Sequence, residues 1–225
     1  MLKRILLFVT FIFSCSHSLA NTEFTYEVID GGLEITGCIE TCPYDLVIPN
    51  SIGEYNVVRI GKQAFSNNQL TSVSIPDSVI SIGDIAFSGN QLTSVTIPDS
   101  VTSIGMWAFS DNQLSAIRIP SSVTKIESYA FESNNLHLSS IFLEEGLKSI
   151  GDLAFSFQNQ DSYEDPYQDP YQDPFFFESS TINLAIPDTV TSIGEDAFGL
   201  QNMPYVLGVE ININILKKFE NKSIV

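Results

Sequence analysis

The stretch Ile75-Pro76-Asp77-Ser78-Val79-Ile80-Ser81-Ile82-Gly83-Asp84-Ile85-Ala86-Phe87 returns almost unchanged as Ile97-Pro98-Asp99-Ser100-Val101-Thr102-Ser103-Ile104-Gly105-Met106-Trp107-Ala108-Phe109. Ala-Phe pairs stand at 64–65, 86–87, 108–109 and 130–131, all 22 apart. Two further pairs follow at 154–155 and 197–198, after longer intervals. A fixed period of this length marks a solenoid, whose units bury their apolar sides only against their neighbours. The chain of 225 residues is long enough for about six such coils.

One unit, residues 92–113, shows what each position has to do. Leu92, Val95 and Ile97 end with period-two spacing and predict a short strand. Pro98, without an N–H, stops ladder pairing and turns the chain. Val101 and Ile104 point inward next, and Gly105 permits a bend or close packing. Ala108 and Phe109 close the coil from a 3₁₀ or helical turn, with Asn112 three residues later.

Stacking turns each repeated position into a file. Phe65, Phe87, Phe109, Phe131, Phe155 and Phe198 should form a continuous aromatic spine. Asn68, Asn90, Asn112 and Asn134 should form a ladder whose amides serve unpaired backbone groups inside the turns. Their other reading is as glycan or metal ligands, but one residue per coil is what a structural ladder needs. Gly61, Gly83, Gly105, Gly151 and Gly194 share a register in which Glu127 also stands, so a left-handed backbone is not obligatory there. Glu144 replaces the proline, and Leu138–Leu143 is expected to carry the strand after a two-residue lengthening near 132–137.

The ends and the bulk numbers narrow the setting. Residues 1–20 read as a secretory signal: Lys3 and Arg4, the apolar run 5–13, then Ser18-Leu19-Ala20 as a small-residue cleavage site. Cys15 offers a lipoprotein alternative, against which bulky Phe13 stands. Cleavage removes two of the 10 basic residues and none of the 27 acidic ones, so the net charge moves from −17 to −19. Such a surface argues against nucleic-acid binding, which needs Lys and Arg to displace phosphate counterions. Beyond the signal the sequence holds no transmembrane run. Cys38 and Cys42 remain, and export makes a disulfide around Ile39-Glu40-Thr41 the natural reading. Redox and zinc roles are the alternatives; zinc would have to recruit His137 from a distant coil.

The pattern Leu-x-x-Leu-x-Leu-Pro, then Val-x-x-Ile-Gly-x-x-Ala-Phe, then Asn, resembles the BspA-like leucine-rich repeats of bacterial surface proteins. The likeness runs from Leu46 to Phe198, and Ile35–Pro49 looks like the cap that precedes the first coil. The resemblance implies a mainly-β repeat solenoid with an inner parallel sheet and short strands or 3₁₀ turns on the outer side. It also implies binding or adhesion, and it carries over no catalytic residue, metal or cofactor. The organisation expected is a signal at 1–20, an N-terminal cap at 21–47, repeats at 48–199, and a C-terminal cap and tail at 200–225.

Two places depart from bland repetition. The expected inner-face pairs are Ser72/Ser74, Ser94/Thr96, Ala116/Arg118, Ser140/Phe142 and Asn183/Ala185. Most are small and neutral, whereas Arg118 beside Phe142 has the chemistry of a binding hot spot; Ser74 and Thr96 share its file. The second place is the insertion 157–178, with Tyr163-Glu-Asp-Pro, Tyr167-Gln-Asp-Pro and Tyr171-Gln-Asp-Pro followed by Phe175–Phe177. Proline at every fourth residue predicts an extended or turn-rich loop, whose tyrosines would meet a partner and whose Asp165, Asp169 and Asp173 would hold calcium only weakly. Val209, Ile211, Ile213 and Ile215 predict a final strand over the open end.

The leading functional expectation is a secreted or cell-surface, non-catalytic module that binds protein or glycan. A polysaccharide-active parallel β-helix enzyme would need carboxylates converging on one face, and the sequence places none there. A structural product without a dedicated ligand is the third reading. A Ser/His/Asp or Cys/His arrangement is not supported with one mature histidine.

Overall fold

The structure, a computed structural model, describes residues 23–156 and 184–199. Its strands are β1 (Phe24–Ile29), β2 (Gly32–Cys38), β3 (Asp45–Val47), β4 (Ser51–Ile52), β5 (Tyr55–Ile60), β6 (Ser72–Ser74) and β7 (Ser81–Ile82). They continue as β8 (Ser103–Ile104), β9 (Ile117–Ile119), β10 (Lys125–Ile126), β11 (Ile141–Leu143), β12 (Ser149–Ile150) and β13 (Ser192–Ile193). The chain is a mainly-β solenoid of stacked coils with a parallel sheet, a leucine-rich repeat fold.

The long ladder does not run where the Leu-x-x-Val-x-Ile pattern pointed. It passes through the Ser-Ile dipeptides: β5, β7, β8, β10, β12 and β13 pair in parallel, each to the next coil. Ile60, Ile82, Ile104, Ile126, Ile150 and Ile193 stand in one register across it. At the N-terminal end β2 pairs parallel to β5, and β1 folds back antiparallel on β2. Among the described residues the leucine segments give two isolated pairs, β3 with β6 and β9 with β11, while residues 92–97 form no strand. A second correction concerns the lengthened coil. Its extra residues form a 3₁₀ turn at Leu138–Ser140, where Ser140 Oγ donates to the His137 carbonyl at 2.7 Å, and the strand begins only at Ile141.

A third kind of inter-coil bonding lies at the Ala-Phe turns. The N–H groups of Gln63, Phe65 and Asn67 donate to the carbonyls of Asp84, Ala86 and Ser88 in the next coil. The scheme repeats: Phe87 donates to Ala108, Phe109 to Ala130, Phe131 to Ala154 and Phe155 to Ala197, at 2.7–2.8 Å. Directing alternate N–H groups the same way needs a left-handed residue before each alanine. Gln63, Ile85, Trp107, Tyr129, Leu153 and Asp196 all have φ between 44° and 63°. Such a backbone costs about 1–2 kcal/mol for a side-chain-bearing residue, which inter-coil hydrogen bonds and packing must offset.

The six phenylalanines lie in single file inside the stack. Successive ring centroids from Phe65 to Phe198 are 5.2–5.5 Å apart, with interplanar angles of 1–21°. Phe24 of β1 meets Phe65 edge-on at 6.2 Å and 85°. The step from Phe155 to Phe198 keeps the same spacing although 43 residues separate them in sequence. An insertion that leaves and re-enters between coils disturbs nothing, because each coil needs only its immediate neighbours.

The glycines sit where coils approach most closely. Gly61, Gly83, Gly105, Gly151 and Gly194 are not among the positive-φ residues. A Cβ on Gly105 would lie 2.6 Å from the Asp84 nitrogen and 2.7 Å from the Gly83 carbonyl carbon. Glu127 occupies this register with a slightly longer backbone bond to Ile104, 3.1 Å against 2.8–2.9 Å at the glycines. Gly105→Ala should therefore cost about 1–3 kcal/mol by overpacking, read as a lower urea midpoint at unchanged slope.

Several sequence expectations fall outside the described residues. They are the signal at 1–20 with Cys15, the insertion with Tyr163, Tyr167 and Tyr171, Asn183, and the closing strand and tail at 200–225.

Candidate functional site

Alternation within β9 decides what faces outward: Ile117 and Ile119 are buried and Arg118 between them is exposed. The same alternation exposes Phe142 in β11 and Ser74 in β6. Arg118 is the register partner of Phe142, and Val47 that of Ser74, so Val47, Ser74, Thr96, Arg118, Phe142 and Ala185 line one exposed file. Phe142 keeps 58% of its surface in solvent and Val47 keeps 60%. Of the companion positions, Ser72, Ser94 and Ala116 are exposed, whereas Ser140 is taken into the 3₁₀ turn.

Arg118 is not a free guanidinium. Its Nη2 and Nε donate to Glu144 Oε1 at 2.7 and 2.8 Å, and its Nη1 to Asp99 Oδ1 at 3.1 Å. Glu144 Oε2 is held in turn by the Ser121 N–H at 3.0 Å. Donating to Asp99, then to Glu144, pushes the guanidinium pKa further up. So exposed a cluster adds little stability, but it fixes the direction of the guanidinium. A guanidinium carries five N–H donors, so acceptors from a ligand still find some beside the Phe142 ring. Sequence reading found Arg118 and Phe142 but missed Asp99 and Glu144. The signal was opposite charge on adjacent coils, visible once the lengthened coil is put in register.

The asparagines do internal work. Asn112 Nδ2 donates to the carbonyls of Phe87, Phe109 and Ser110 at 2.9–3.1 Å, and its Oδ1 accepts the Leu92 N–H at 3.1 Å. Asn90 and Asn134 repeat the scheme with Leu70 and Leu114. Asn68 departs from it: it is half-buried and its amide donates only to Ser66. Each asparagine reaches back to the preceding coil, and what precedes Asn68 is the N-terminal hairpin rather than an equivalent coil.

A second polar cluster lies at the turns. The half-buried Glu132 carboxylate accepts a bond from the Trp107 side chain, and burial, then the Asp111 charge, raise its pKa. With the folded value above the unfolded one, ionised Glu132 opposes folding at neutral pH, and stability returns as pH falls through the folded pKa. Glu132→Gln should thus raise the melting temperature slightly at pH 7, with no gain once pH falls below the ordinary glutamate range. Melting curves across that range check it.

Cys38 and Cys42 are joined by a disulfide, Cα–Cα 5.5 Å, and both pack on the core. Among the described residues no group of three or more His, Cys, Asp or Glu is placed to hold a metal ion. Among them also, no helix is long and apolar enough to cross a membrane.

The family described as BspA type leucine rich repeat region matches residues 58–166 and 171–220, in six copies. A leucine-rich repeat protein from Bacteroides capillosus is 30% identical, over 56% of this chain and 97% of its own, with a TM-score of 0.45. The pneumococcal vaccine antigen PcpA is 18% identical over 81% of this chain, with a TM-score of 0.53. This chain spans only 46% of that PcpA chain. A leucine-rich cell surface protein from Faecalibacterium prausnitzii is 20% identical over 82% of this chain and 52% of its own, with a TM-score of 0.45. No curated protein matches the chain.

Proposed function

The chain belongs to the BspA-type leucine-rich repeat family, and from that premise we propose that it is a non-catalytic module that binds a protein or glycan outside the cell. The observation that carries this reading is the Arg118–Phe142 pair. On an otherwise small and neutral strand face, it sets an oriented guanidinium beside a largely exposed aromatic ring. That combination is the chemistry of an interface anchor. Ser74 and Thr96 extend the contact along the same file. The Cys38–Cys42 disulfide supports an oxidising, extracellular setting, reached through the leader at residues 1–20. The repeats of Tyr163, Tyr167 and Tyr171 are a further contact segment of the same module.

The test is an array of matrix proteins and glycans probed with the full chain and with an Arg118→Ala/Phe142→Ala chain. Binding that weakens about tenfold or more in the double variant, at unchanged melting temperature, supports the reading. Equal binding by both chains sinks it. Release of shortened products from acidic polysaccharides would establish the β-helix enzyme alternative in its place.

A further inference from the structure

The left-handed register before each alanine carries a second pattern that the fold does not require. Gln63 and Asp196 occupy it at the two ends, so this left-handed position accepts a polar side chain. Between them stand Ile85, Trp107, Tyr129 and Leu153, one per coil and none fully buried. The Trp107 and Tyr129 rings stack at 4.9 Å and 20°. Four large apolar side chains in one file, each half-buried, with polar residues at both ends, leave a partly exposed apolar strip of the kind that marks contact sites.

Its electrostatic border is one-sided. Asp84, Asp111, Glu132 and Asp152 lie beside these residues in the same turns. The four ion pairs of the described residues use Glu34, Asp99, Glu127 and Glu144, and none of the border acids. Of these acids, Asp84 and Asp152 each accept one backbone N–H from the next coil, Met106 at 3.1 Å and Glu195 at 2.8 Å. We propose that the strip Ile85–Trp107–Tyr129–Leu153 is a second docking surface, taking a basic protein segment in which Lys or Arg alternates with apolar side chains. The apolar side chains cover the strip while the cations meet the carboxylates and any ring face left open to solvent. Charge complementarity selects this occupant in a chain of net charge −17. A stacked sugar suits the strip less, because Trp107 and Tyr129 each spend one ring face on the other. The raised proton affinity of Glu132 agrees: burial, then the neighbouring Asp111 charge, disfavours its ionised form. The proposal is independent of the Arg118–Phe142 face, which lies on different segments of the coils.

Trp107 is the only tryptophan, so its emission reports on this surface without a label. The full chain is titrated with a synthetic peptide of alternating Leu and Lys while that emission is followed. A saturable shift is expected, weakened about tenfold by Tyr129→Gln and by Leu153→Gln, and unchanged by Arg118→Ala. Glutamine is chosen because Gln63 shows that this register accepts it; should Tyr129→Gln fail to fold, Leu153→Gln decides alone. The proposal is overturned by no saturable change, or by equal affinity in the folded variants. It is equally overturned if an all-lysine peptide binds as tightly, or if a neutral oligosaccharide produces the shift and the peptide does not.

Discussion

Asn112→Asp is expected to strip this chain of most of its stability at neutral pH, by about 3 kcal/mol or more. The amide nitrogen of Asn112 faces three backbone carbonyls, those of Phe87, Phe109 and Ser110. An aspartate oxygen in that place turns three attractions into repulsions and buries a charge without a partner. The folded-state pKa of such an Asp would be raised, so stability should partly recover as pH falls and the carboxyl regains one donor. Asn112→Ala should cost less than Asn112→Asp, since it removes the bonds without adding charge. Equilibrium urea unfolding of both variants at two pH values checks the order and the pH dependence.

Phe109→Ala should cost about 3–5 kcal/mol. The ring is fully buried and lies between Phe87 at 5.2 Å and Phe131 at 5.4 Å, so its removal leaves a gap in the middle of the file. Neighbouring coils cannot close the gap without shortening the hydrogen bonds that set the coil spacing. Set against a typical total of about 5–15 kcal/mol, either substitution removes a large share. Phe198, at the end of the described stack, should be less costly to truncate, because only one neighbour loses its partner.

What the sequence made legible was register. A 22-residue period says which side chains share a file, and it brought Phe65 to Phe131, and Arg118 and Phe142, to their relative places once the longer coil was allowed for. It did not say which backbone segments pair. Both Leu92–Ile97 and Ser103–Ile104 carry strand-like spacing, yet only the second joins the long ladder. The leucine amides at 70, 92 and 114 all donate to Asn side chains, whether a short strand follows, as after Leu70 and Leu114, or none does, as after Leu92. The left-handed residues were hidden for another reason. Gln63, Ile85, Trp107, Tyr129, Leu153 and Asp196 share no residue type, and only the demand for an N–H aimed at the next coil sets their conformation. Glycine, the usual flag for that backbone, is used two residues earlier for close approach.

The site was legible in the same partial way. Arg118 and Phe142 stood out as deviations from a neutral face, while their fixation by Asp99 and Glu144 depended on contacts between coils. The Ile85–Leu153 strip went unseen because its residues read as ordinary turn positions until the structure put them in one half-buried file.

Residue-resolved amide hydrogen exchange tests most directly whether the coils are bound to one another by this asparagine and backbone scheme. The Leu70, Leu92 and Leu114 amides should exchange as slowly as those of Phe65, Phe87 and Phe109, all opening only with the whole stack. Leucine amides that exchange as fast as exposed Thr93, while the phenylalanine amides stay protected, would contradict it.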